Sequence, residues 1–173
     1  MFWIRVDGNT GGPIRTVWAT STDPTTGVNY AGVRFLISGA GATANRAIMS
    51  YGNSVSSTSA RFFTSSYFLT LNQWYCVCMG VNGGSSTPGT TTNYMYITPR
   101  TSASIDTVNR VGSASGSATF FAGGAQSMIW GVDQGVGYFN GAIGPFVMRP
   151  GVFDVLNTEY TQFFNAWRAA TPA

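Results

Sequence analysis

Apolar and polar residues alternate with a period of two along most of this chain, which points to strands with one face buried and away from a helical bundle. In FWIRVDG, Phe2, Ile4 and Val6 share one face, and Asp7-Gly8 ends the strand with a turn. The pattern recurs over 14–21, 31–38, 46–52, 60–71, 74–81, 93–98, 126–132 and 137–149. β-Branched and aromatic residues dominate these runs, while leucine appears only four times, so the chain reads as all-β.

Turn clusters separate the runs, among them GNTGGP (8–13), STDPTTG (21–27) and NGGSSTPGTTT (82–92). The last is flanked at once by strong strands and is expected to be a long hairpin loop rather than a linker. No fixed period repeats, and the 173 residues suit one domain over 1–173 with a single core. One helix is expected after Asn157 as N-cap, because Tyr160, Phe163, Phe164 and Trp167 recur at i, i+3, i+4 and i+7. Their stripe is read as packing against a sheet. Glu159, the only glutamate, falls in the first turn, where a negative charge suits the helix dipole.

Charged residues make up 9% of the chain, against about 25% in an ordinary globular protein. Solubility must therefore come from hydroxyls and amides. Lysine and histidine are absent, and the nine arginines are spread from Arg5 to Arg168 without a cluster. A nucleic-acid partner would need a basic stripe or patch, so none is expected. No apolar stretch approaches the roughly 20 residues of a membrane helix, and MFWIRVDGNT lacks the features of a signal peptide. The expectation is a soluble, already mature chain with no membrane partner. Cys76 and Cys78 lie on one face of a strand, where i and i+2 side chains do not converge as a disulfide requires. They are read as two small buried hydrophobes, and the sequence leaves the redox compartment open.

The order of the pieces then carries a resemblance. The opening FWIRVDG, the tryptophan strand NQWYCVCMGVNGG, the following NYMYIT, then MIWGVD and YFNGAIGPFVMRPGVFDVLNTEY resemble the concanavalin A-like lectin/glucanase superfamily, in particular its laminin G-like members. The helix start Leu156-Asn157-Thr158-Glu159 matches the family's short helix. The resemblance spans roughly 2–168 and implies an antiparallel two-sheet jelly-roll sandwich with one short C-terminal helix. Members usually carry a strand before the one resembling FWIRVDG. Its place is expected to be filled from elsewhere in this chain or by another subunit laid along an exposed edge.

Catalysis is argued against by the residues that are missing. Retaining glycoside hydrolysis needs two carboxyls about 5 Å apart, and the superfamily's laminarinase-like enzymes carry two glutamates on one strand. Here Asp7, Asp23, Asp106, Asp133 and Asp154 are scattered in sequence and mostly at turns, where Asp bonds its local backbone. Lyase, Ser-His-Asp and Cys-His chemistry all fail for want of histidine. Calcium is the family's usual cofactor, and Asp23 and Asp133 are its only candidate anchors. Neither has a second acid nearby, so no metal or other cofactor is expected.

Binding asks less of the sequence. Trp130, Asp133, Gln134, Tyr138 and Asn140 form the densest set of ring, carboxylate and amide groups, around a glycine-rich turn, and are the candidate glycan site. Against it stands a reading in which Trp130 and Tyr138 belong to the core or an interface. A surface rich in Ser, Thr and Gly with little charge also packs readily against neighbours. The sequence thus favours a non-enzymatic, lectin-like structural or decoration protein of a virus particle such as a bacteriophage. It would sit at the virion surface or outside cells, with neighbouring subunits and a cell-surface glycan as partners. The alternative is a secreted carbohydrate-binding module of an extracellular or cell-surface protein. In GYFNGAIGPFVMRPGVF, the glycines before Pro145 are read as places where a long strand bends and the other sheet approaches. Gly141 is the least replaceable of them, and Gly151 marks the closing turn.

Overall fold

The computed structural model describes residues 1–8, 14–20, 32–39, 45–52, 60–81, 93–111, 113–115, 129–131, 139–148 and 158–170. They form strands β1 (Phe2–Val6), β2 (Ile14–Ala19), β3 (Gly32–Ser38), β4 (Arg46–Gly52), β5 (Ala60–Phe68), β6 (Trp74–Val81), β7 (Asn93–Pro99), β8 (Ser113–Ser115), β9 (Ile129–Trp130) and β10 (Gly141–Phe146), followed by helix α1 (Glu159–Ala170). A four-stranded sheet runs β10-β1-β6-β7 and a six-stranded sheet runs β8-β5-β4-β3-β2-β9. Every pairing is antiparallel. The two sheets share one apolar core, a β-sandwich-like architecture.

The alternation read in FWIRV sets that core. Phe2, Ile4 and Val6 point into it from β1, beside Tyr75, Val77 and Met79 of β6 and Met95 and Ile97 of β7. The six-stranded sheet supplies Val17, Trp18, Phe35, Ile37, Ala47, Met49 and Phe63. Phe2 crosses between the sheets, its ring 4.8 Å from Phe35 and 5.7 Å from Trp18, both edge-on.

The expectation of half-buried strands needs correcting, because the other faces are buried too. On the four-stranded sheet the reason is α1, which covers Trp3, Cys76, Cys78 and Tyr94 with Tyr160 and Phe164. Phe164 stacks on Trp3 at 5.4 Å. The hydroxyl of Tyr160 donates to the Cys76 carbonyl at 3.1 Å and receives the Thr98 hydroxyl at 2.8 Å. Thr98 Oγ1 in turn accepts the Asp106 N–H at 2.9 Å, so the helix docks through packing plus a satisfied polar chain. In the six-stranded sheet Thr16, Arg34, Leu36, Ile48 and Ser50 are also buried.

Other expectations are met or shifted by small amounts. The aromatic stripe packs on a sheet, and Cys76 and Cys78 are free, buried and on one face. The Thr158 carbonyl accepts the Gln162 N–H at 2.8 Å, which makes Thr158 the N-cap, one residue later than expected. Asn157 lies outside the described residues. Strand β5 stops at Phe68 instead of running to 71, because Leu71 and Asn72 turn, with Asn72 at φ 61°. β8 is three residues without periodicity, and nothing in the sequence announces it. The flanking partner of β1 comes from this chain: β6 pairs with it on one side and β10 on the other.

Arg15 of β2 is a fully buried charged residue. It donates to the Gly8 carbonyl, to Ser38 O at 3.4 Å and to Asn45 Oδ1 at 3.0 Å, tying the end of β1 to the β3–β4 turn. Burial lowers its pKa.

The glycine-rich strand is tight for a different reason from the one expected. A Cβ on Gly141 would lie 2.0 Å from the Arg5 carbonyl of the adjacent strand, and one on Gly144 would lie 3.0 Å from both Trp3 and the Trp167 ring of α1. The close neighbours are thus a strand in the same sheet and the helix; the opposite sheet is not involved. Gly141→Val should destabilise the fold by about 2–4 kcal/mol, since backbone has to move. The check is a denaturant melt, and a variant with the parent's midpoint would contradict this packing.

Candidate functional site

Of the five residues of the expected glycan site, the structure describes two, Trp130 and Asn140, on either side of residues 132–138. On the first side, β9 pairs with β2 so that Trp130 lies opposite Trp18 at the edge of the six-stranded sheet. Gly131 follows at φ 76°, donates to the Val17 carbonyl at 2.9 Å and accepts the Phe139 N–H at 2.9 Å. On the second side, exposed Asn140 offers its carbonyl to the Asp7 N–H at 3.0 Å and leads into β10. One hydrogen bond therefore brings the Trp130 and Asn140 segments together. Asp133, Gln134 and Tyr138 lie outside the described residues, as does Asp23, the other calcium candidate.

Trp130 is 43% exposed, and its buried part has a packing task. It meets Phe146 edge-on at 4.9 Å, while Phe146 stacks on Phe2 at 5.7 Å and meets Trp18 at 5.3 Å. These rings close the flank between β9 and β10, edge strands of different sheets. Trp130 is partly wall and partly open surface, so the reading of this ring as packing accounts for one half of it.

A second cluster, absent from the sequence-based site, lies on the helix side of the four-stranded sheet. Arg5 of β1 and Asp7, the residue just after the strand, sit two apart, and their side chains meet. Nε of Arg5 donates to Asp7 Oδ1 at 2.6 Å and Nη2 to Oδ2 at 2.9 Å. The guanidinium carbon rests 5.3 Å from the centre of the Trp74 ring, which packs edge-to-face with Trp167 at 4.6 Å. The hydrogen bond that Arg5 donates to Asp7 raises the Arg5 pKa further. Asp7 thus does more than end a strand: its carboxylate holds Arg5. Asp106 matches the expected turn chemistry, accepting the Val108 N–H at 2.8 Å, and it also holds Arg110.

Among the described residues no group of three or more His, Cys, Asp or Glu is placed to hold a metal ion. The thiols lack nucleophilic character: burial pushes Cys76 well above its usual value and Cys78 up to about 12. Burial likewise pushes the Tyr160 phenol well up.

The fold and these clusters define a β-sandwich-like protein with a helix docked on one sheet. Comparison with protein-family models, curated proteins and solved structures finds no match to this chain.

Two predictions follow from the side chains just described. Because both thiols are held protonated in the fold and ionise near about 8.5 when unfolded, their contribution to stability is full below that pH. It is lost as pH rises toward 12. Thermal melts by circular dichroism should show the midpoint falling through the alkaline range, less steeply for Cys78→Ala, and native protein should resist thiol reagents until unfolded. Separately, Phe146→Ala should cost about 3 kcal/mol and Trp130→Ala about 1 kcal/mol. Equal losses in urea titrations would show that the Trp130 ring is core rather than surface.

Proposed function

We propose that this protein is a non-enzymatic, lectin-like surface module with a concanavalin A-like jelly-roll fold. It would serve as a structural or decoration protein of a virus particle and attach to glycans. The observation that carries the reading is the flank beside β10. Trp130 (43%), Val147 (40%) and Met148 (52%) expose large apolar surface there, on a chain only 9% charged. Little charge has to be desolvated when such a flank meets a neighbour. Two antiparallel sheets with a C-terminal helix are what such a fold requires.

The non-enzymatic part rests on the carboxylates: Asp7 and Asp106 are each engaged by an arginine, and the only glutamate starts a helix. The reading requires no cofactor and no calcium. It implies neighbouring subunits as partners, neither nucleic acid nor a membrane, and a place on the virion surface or outside cells.

Sedimentation velocity over a concentration series tests it, with a stable multimer expected. A persistent monomer that binds a defined oligosaccharide would instead indicate a secreted carbohydrate-binding module. Polysaccharide turnover abolished by a single Asp substitution would overturn the non-enzymatic assignment.

A further inference from the structure

We infer that the outer face of the four-stranded sheet, beside α1, carries a neutral-saccharide site built from Arg5, Asp7, Trp74 and Asn140. The inference rests on the glycan-attachment part of the function proposed above and moves it away from residues 132–138. The residues come together through the sheet: Arg5 lies opposite Trp74 on β6, and the Asp7 N–H donates to the carbonyl of Asn140, whose amide nitrogen lies beside Gly8. Cross-strand neighbours of this kind have Cβ atoms about 5 Å apart.

The chemistry of the set selects its ligand. Vicinal hydroxyls both donate and accept, and a carboxylate fixed beside a guanidinium offers an acceptor and donors side by side. Among the described residues Nη1 of Arg5 has no acceptor, whereas Nε and Nη2 are committed to Asp7. Asn140 adds an exposed amide that both donates and accepts. Trp74, partly buried, carries the Arg5 guanidinium over its ring and so fixes the donors that face the ligand. The ion pair is charge-neutral, so an anionic ligand would meet Asp7 and a cationic one Arg5. A neutral polyol meets neither penalty.

Accessibility and preorganisation point the same way. The Arg5 and Asp7 side chains are 36% and 29% exposed, open to a ligand yet pinned by two charge-assisted bonds and the Trp74 ring. The ordering entropy a ligand would otherwise have to supply is already spent on folding. An exposed pair of this type contributes little to stability. Fold stability is therefore a weak reason to hold an arginine so rigidly over a tryptophan.

A glycan array bearing neutral, sulfated and sialylated oligosaccharides, screened with the full chain, tests the inference. It is followed by tryptophan-fluorescence titration of the best neutral oligosaccharide. Neutral glycans should bind, and Asp7→Asn and Arg5→Gln should each weaken binding roughly tenfold or more, as loss of one charged hydrogen bond does. Both variants should keep the parent's circular dichroism, and Trp130→Ala should bind as the parent does. Binding lost in Trp130→Ala but kept in Asp7→Asn would overturn this site and leave glycan attachment with Trp130 and residues 132–138. Binding confined to sulfated or sialylated glycans would also overturn it. Absence of all binding would overturn both this site and the glycan-attachment part of the proposed function.

Discussion

Strand β1 buries both of its faces, and the rest of the molecule is arranged around that fact. Phe2, Ile4 and Val6 enter the core between the sheets, while Trp3 enters the core beneath the helix. An antiparallel strand can leave one face to water; this one cannot, because its neighbours β6 and β10 flank it and α1 lies over it. Removing the helix would bare Trp3, Cys76 and Tyr94 together, and losing β10 would open the flank that Phe146 closes. The two apolar cores are thus linked through β1 and its sheet-mates β6 and β7, each of which sends side chains into both.

The polar features obey the same geometry. Tyr160 carries a hydroxyl into the helix-side core only because the Cys76 carbonyl and Thr98 hydroxyl meet it there. Arg15 is tolerated in a fully buried place because it reaches two carbonyls and an amide oxygen that the strand ends present. Toward the Asp7 end of β1 the surface opens, and the same alternation that buries Trp3 presents Arg5 and Asp7. One periodicity therefore produces both the helix-side core and the polar cluster beside it.

The site was legible only in pieces. Trp130 and Asn140 stood out because an aromatic and an amide flank a glycine-rich turn, and the bond between Gly131 and Phe139 does bring their segments together. The ring's share in closing the flank was invisible, since Phe146 and Phe2 are distant in sequence. Arg5 and Asp7 were two residues apart in the sequence. What could not be read was Trp74, which meets Arg5 through pairing of β1 with a strand some seventy residues later. Asp7 had been assigned to a turn, the commonest use of Asp in that position, and only its partner shows a second use.

By itself the sequence determined the class of structure: strands where β-branched and aromatic residues alternate, one helix where aromatics recur every three to four residues, and two thiols on one face. These are local properties, set by backbone period and side-chain shape, and they hold whatever the neighbours are. Tertiary structure decided the order of the strands, the burial of both faces of β1, the inward placement of Arg15, and the reason for Gly141. That glycine is held by the Arg5 carbonyl 2.0 Å from where its Cβ would be. Such contacts join residues far apart in the chain, and no local pattern encodes the distance between two backbones until the sheet has formed.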